Sequence, residues 1–338
     1  MSDFDELMRQ GLEAVESGSL EAARQIYERC MVMAASDTDP YKLTAVRLRY
    51  AGIFMQQGNW QEALNVGLEI LESGKGRATA YTLIGHCYME LNQLSDAETA
   101  LRHSLAIKPH PWSCIFLYDT LSRLDRDQEA MECLQEALKL DPEYEEAHYN
   151  LGCEYKLQNK YELAEYHLRR AIEIDPHYAV AYAELGVVLY SEALARLRRD
   201  ESDDGLRAEA KQVLLKSIEL KPDYGWSRLY LAELMWHLGK GKAAEEHFQA
   251  AVTIWPDTLT YSYYGNFLFA TDFDRAKAGQ LLRKATELDP DYSYAHYFLG
   301  KHLIRCKHKF KAKQALLKAA ELGHEKAREL LTKLENKK

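Results

Sequence analysis

The chain has 338 residues, 47% apolar and 28% charged, with only 18 Gly and 8 Pro. The apolar content is too high for intrinsic disorder, and so little Gly and Pro argues against a loop-rich β protein. A net charge of −9 weighs against general nucleic-acid binding and leaves room only for a local basic patch.

Six cysteines (Cys30, Cys87, Cys114, Cys133, Cys153 and Cys306) are scattered without a C-x-x-C pair. Several fall on apolar helix faces, where a free thiol behaves as a small hydrophobe, so a reducing compartment and no disulfide framework are expected. The opening MSDFDELMRQ is acidic and has no basic stretch leading into an apolar one, so no signal peptide is expected. No apolar run approaches the roughly 18 to 20 residues that span a bilayer. The expectation is a soluble cytoplasmic chain with no membrane partner.

Three series set the register of the predicted elements. Alanine opens a helix nine times, at Ala23, Ala63, Ala97, Ala130, Ala164, Ala210, Ala244, Ala278 and Ala312. Prolines close the units at Pro109, Pro142, Pro176, Pro222, Pro256 and Pro290, and Gly sits early in them at Gly11, Gly85, Gly152, Gly186, Gly265 and Gly300. The series predict helical hairpins over 4–37, 44–77, 78–110, 111–144, 145–178, 179–224, 225–258, 259–292 and 293–326, with a last helix over 325–336.

The first hairpin lacks its proline and is followed by a six-residue extension, Thr38 to Leu43, holding Asp39-Pro40. The second also lacks it and ends in Ser73-Gly74-Lys75-Gly76, a flexible joint by composition. The fifth is the most regular: His148, Leu151, Gly152 and Tyr155 share one helical face, Gln158-Asn159-Lys160 turns the chain, and Leu163, Ala164, Leu168, Ala171 and Ile172 form the second face before Asp175-Pro176. The sixth carries twelve extra residues, and Ser191 to Arg199 keep helical character. Its first helix is therefore expected to run about two turns further and to protrude, either as a partner contact or as a tolerated insertion. In the eighth the Gly comes one residue early, and Thr271-Asp272-Phe273-Asp274 restores the count.

A 34-residue period with an L-G-x-x-Y core, an Ala, a Leu or aromatic four residues later and a terminal Pro resembles the tetratricopeptide repeat (TPR). The resemblance covers nearly the whole chain. It implies an all-α, right-handed superhelical α-solenoid of antiparallel helix pairs, read as a single domain over 1–338. First helices would line a concave groove, and the last helix would cap the stack.

No catalytic constellation is visible. Gly239-Lys240-Gly241-Lys242 lacks the upstream Gly and the Ser/Thr of a phosphate loop, and His324-Glu325 leads to Arg328 where a zinc motif needs His. The twelve histidines do not cluster; His148 and His296 share one repeat position, which points to packing. No enzyme activity, cofactor or metal is expected.

Function then falls to surfaces. The inward face of the first helices carries Trp112, Phe116, Tyr149 and Tyr190, then Trp226, Tyr230, Trp236, Tyr263 and Phe269, then Tyr294, Tyr297 and Phe298. Asp119, Glu146, Asn150, Glu184, Glu233 and Asn266 interleave with them. Either these aromatics grip a peptide of another protein, extended or helical, or they fill gaps between neighbouring first helices. Some TPR relatives clamp an acidic C-terminal peptide with inward Lys, Asn and Arg, and others carry an asparagine ladder. Of Leu83, Phe116, Asn150, Glu184, Tyr230, Tyr263 and Phe298 at the ladder position, only Asn150 matches. Neither mode is expected.

Residues 293–338 hold twelve Lys and Arg against four Glu, so this end is basic and the rest acidic. Lys301, Arg305, Lys307, Lys309, Lys311 and Lys313 form its candidate patch, with a solvated lysine face as the alternative. The leading reading is a non-enzymatic scaffold or adaptor with a peptide in its aromatic groove. A homo-oligomer joined through acidic body and basic end comes second. A nucleic-acid-associated factor is the weakest.

Overall fold

The computed structural model describes residues 3–37, 39–203 and 205–335. Thr38, Asp204 and Asn336, which belong to the expected extension, insertion and cap, lie outside them. The described residues form nineteen α-helices and no strand. Compactness divides the chain into two units, residues 1–154 and 155–338, with the break inside one helix.

The first unit holds α1 (Asp3–Glu16), α2 (Leu20–Ala35), α3 (Pro40–Gln56), α4 (Trp60–Glu72), α5 (Arg77–Glu90), α6 (Leu94–Ile107), α7 (Pro111–Arg123), α8 (Asp127–Leu140) and most of α9 (Glu145–Leu157). The second holds α10 (Tyr161–Ile174), α11 (Ala179–Arg198), α12 (Leu206–Leu220), α13 (Gly225–His237), α14 (Gly241–Ile254), α15 (Thr258–Thr271), α16 (Arg275–Leu288), α17 (Ser293–Arg305), α18 (Lys309–Glu321) and α19 (Glu325–Glu335). Within the second unit the first helices α11, α13, α15 and α17 also touch one another in succession, which makes a face of side-by-side helices.

The small-residue register is what closes each hairpin. All nine alanines of the series are buried at 1% exposure or less. A Cβ on Gly85 would lie 2.6 Å from Leu101 Cγ, and one on Gly265 would lie 2.7 Å from Leu282 Cγ. Those leucines stand four residues after Ala97 and Ala278, so each fills the space that the glycine leaves open. Both are fully buried, and burying a leucine contributes roughly 1.5–3 kcal/mol. The hairpin turns pass through the left-handed region at Asn92, Asp125, Asn159, Asp272 and Lys307; Asn and Asp tolerate it, and Lys307 departs from that pattern.

The histidines at one repeat position do pack. His148 is buried and its Nε2 donates to the Pro142 carbonyl at 3.2 Å; His296 does the same to Pro290 at 2.9 Å. Each gives a partner to a carbonyl just past the end of the preceding helix. Buried hydroxyls recur as well. Ser217 Oγ donates to the Ala179 carbonyl at 2.7 Å and lies 2.7 Å from Ser227 Oγ; in the first unit Ser104 Oγ donates to the Ala78 carbonyl at 2.8 Å and lies 3.4 Å from Ser113 Oγ.

From Pro40 onward the extension after the first hairpin is the start of α3: Asp39 is its N-cap, Asp39 Oδ1 accepts from Tyr41 N at 2.9 Å, and Pro40 stands in the first turn. One expectation is corrected. The insertion after 190 does lengthen α11, to 20 residues, but its first added turn does not protrude. Glu192 and Ala193 are buried and Glu192 pairs with Arg196, so only the last turn around Leu197 is exposed. Among the described residues no helix is long and apolar enough to cross a membrane, the cysteines are free, and no three His, Cys, Asp or Glu are gathered as metal ligands.

Candidate functional site

In the first unit Trp112 is 41% exposed and packs at 5.7 Å against Phe116, which stacks on His86 at 4.1 Å. Asp119 lies one turn beyond Phe116 on α7. Burial first, and then the charge of Glu146, push its carboxyl up to about 6. Tyr149 and Asn150, on α9, are partly buried.

The second unit carries the heavier cluster, ordered by the packing residues Ala232, Gly265 and Gly300 of α13, α15 and α17. Two residues before them stand Tyr230, Tyr263 and Phe298; four after stand Trp236, Phe269 and Ile304. The row one residue after them is Glu233, Asn266 and Lys301. One helical face therefore presents a polar row between two mostly aromatic ones, running from acid through amide to base. Trp226 and Tyr294, six residues before Ala232 and Gly300, complete it at the helix starts.

Not every expected residue is available there. Tyr190 is 2% exposed with its hydroxyl on His237 Nδ1, and Phe269 is 9% exposed against His302 at 6.0 Å. Both fill space between adjacent first helices, which is the gap-filling alternative for these two. Glu184 is also buried, and Lys156 donates to it at 2.5 Å. Trp236 is wedged between His237, at 5.4 Å, and the fully buried Phe267, at 5.6 Å. Trp226, Tyr230, Tyr263, Tyr294, Tyr297 and Phe298 keep partial access.

The polar row is unsatisfied. Glu233 has no ion pair or hydrogen bond to its side chain among the described residues, and burial pushes its carboxyl up to about 7. Its charge adds to the burial that raises the Tyr190, Tyr230 and Tyr263 hydroxyls, so all three stand in its field. Asn266 Oδ1 and Trp226 Nε1 are buried without a partner. A buried polar group left so costs about 1–3 kcal/mol.

At the basic end of the row, Lys301 Nζ lies 5.4 Å from the Tyr297 ring, 5.7 Å from Phe269 and 5.8 Å from Phe298. Burial, and then the Lys326 ammonium, hold its pKa below the usual lysine value. No carboxylate of the described residues pairs with Lys301, Lys326 or Lys333. These three and Arg305 line a cleft of about 520 Å³ floored by Phe269 and Tyr297, with Glu329 the one carboxylate in its wall. Lys307, Lys309, Lys311 and Lys313 are exposed around the α17–α18 turn and the start of α18 and do not line that cleft. Lys326 and Lys333 escaped the sequence reading. Their spacing of seven, which places both on one face of α19, was the available signal.

Helix pairs closed by small residues, with first helices side by side, define a tetratricopeptide-repeat protein, a fold that generally mediates protein–protein interaction. The chain belongs to the family described as the cilia and flagella-associated protein 70 C-terminal domain, which matches residues 6–201. It is 29% identical over 218 residues to the tetratricopeptide repeat-containing protein trd-1 of Caenorhabditis elegans, covering 64% of this chain and 24% of that one. The chain spans about a quarter or less of the length of the curated relatives it matches. Among solved structures it resembles pilF of Pseudomonas aeruginosa (TM-score 0.54, 21% identity, 67% of this chain and 100% of that one). It also resembles a monomeric mutant of IFIT1 (TM-score 0.59, 14% identity, 93% and 80%). At these identities the structural likeness concerns the fold alone.

Proposed function

We propose that the chain is a non-enzymatic scaffold or adaptor and that the face formed by α13, α15 and α17 holds a peptide segment of a protein partner. The observation that carries this reading is a pair of unmet polar atoms: Asn266 Oδ1 in the polar row and Trp226 Nε1 at the start of α13 are buried and unpartnered, beside rings that keep partial access. A peptide backbone offers the donor and the acceptor these atoms lack, and its side chains cover the rings. Folding alone leaves both needs unmet, and binding meets them together.

The test is a random 12-residue peptide display library panned on the full chain. Peptides recovered on the wild type should bind the double variant Asn266→Ala/Tyr294→Ala at least tenfold more weakly. They should bind Phe310→Ser unchanged, since Phe310 is 75% exposed on the second helix α18. Recovered peptides that ignore the double variant, or that depend on Phe310, would place binding elsewhere.

A further inference from the structure

Glu233 and Lys301 stand one residue after Ala232 and Gly300, so they occupy the same register position on α13 and α17, with Asn266 between them on α15. Neither has a counter-ion. The Glu233 carboxylate is surrounded by tyrosines and no cation approaches it; the nearby charges and dipoles are the Tyr190, Tyr230 and Tyr263 hydroxyls. Lys301 sits against three rings with Lys326 adding repulsion. Two opposite charges are thus held partly desolvated at the two ends of one row, too far apart to neutralise each other. Packed helices lie roughly 8–10 Å apart, so two steps separate the charges by about 16–20 Å. An extended chain rises about 3.3 Å per residue, and the gap corresponds to about five or six residues.

Resting on the peptide reading above, we propose that this face selects an extended segment with a basic side chain seated at Glu233 between the Tyr230 and Tyr263 rings and an acidic side chain, about five or six residues along, seated at Lys301 over the cleft shared with Arg305 and Lys326. A Lys or Arg side chain meets both features of the Glu233 end: it carries the missing charge, and its cationic head is attracted to the flanking ring faces. The Lys301 end is the converse. Three ammonium groups and a guanidinium line one aromatic-floored cleft with a single carboxylate, Glu329, and although Arg305 also faces Asp272 at 3.7 Å, the excess of positive charge favours an entering carboxylate. Asn266, midway, has the amide chemistry to pair with the backbone between the two anchors. An acidic peptide alone would leave Glu233 opposed to like charge, and a basic one would do the same at Lys301. The row therefore discriminates by the order and spacing of charges as well as by their presence.

The experiment is a pair of double-mutant cycles on the full chain with peptides recovered from the display library. In wild type, changing the peptide's basic residue to Gln should weaken binding at least tenfold, and changing its acidic residue to Gln should do likewise. Against Glu233→Gln the first change should cost less than twofold, and against Lys301→Met the second should cost less than twofold. Circular dichroism melting curves confirm that both variants are folded. Binding that depends on Asn266 and Tyr294 but shows no coupling to Glu233 or Lys301 overturns this inference and leaves the peptide reading standing. Recovery of no peptide that senses the face overturns both. Dimerisation of the wild type that Glu233→Gln abolishes would assign the face to a second copy of the chain and also overturn the inference.

Discussion

Glu233 on α13 and Lys301 on α17 hold the same place in their repeats, carry opposite charge and have no ionic partner among the described residues. Each is set one residue beyond the small side chain that lets its helix approach the next. The residue that packs and the residue that is left polar are neighbours in sequence, turned about 100° apart around the helix axis.

Glu233 should make the protein less stable as pH rises. Burial raises its folded-state pKa to about 7, against about 4.3 for an unperturbed glutamate. The folded state therefore binds a proton more tightly than the unfolded one. The resulting stability is full below about pH 4.3 and is lost as pH climbs through 7. Glu233→Gln, which removes the charge, should raise the melting temperature at pH 8 and change it little at pH 5. Equal effects at both pH values would contradict the assignment.

Gly265→Ala should destabilise by about 1–3 kcal/mol, the usual cost of overpacking a filled core, because the new Cβ meets Leu282 at 2.7 Å. Leu282→Ala should cost about 2–5 kcal/mol through the cavity it leaves. Urea unfolding measures both. In the double variant the methyl partly fills the cavity, so the combined loss should be smaller than the sum of the two.

Lys307→Gly should stabilise by about 1 kcal/mol, since Lys307 holds φ at +62°, where a side chain crowds the following carbonyl and glycine does not. Lys307 does not line the cleft at Lys301. The substitution should leave peptide binding unchanged, which separates the exposed lysines from those at the aromatic end.

Ser217→Ala should cost about 1–3 kcal/mol. Its hydroxyl links the Ala179 carbonyl to Ser227 inside the α11–α12–α13 packing, and removal leaves both without that partner. A loss below about 0.5 kcal/mol in chemical denaturation would mean that water replaces it.

The sequence by itself determined the helix pairs and their register, because a 34-residue period of Ala, Gly and Pro leaves few ways to bury both faces of each hairpin. It also placed His148 and His296 in packing roles from their shared position. Tertiary structure decided which inward aromatics are covered. Tyr190 and Phe269 occupy helix positions like those of more accessible rings, and only the approach of the next first helix buries them. It likewise decided that Lys301 and Arg305 join Lys326 and Lys333 and part from the lysines at 307–313. That grouping depends on where α19 comes to rest against α17, and charge counted along the chain carries no record of which helix lies beside which.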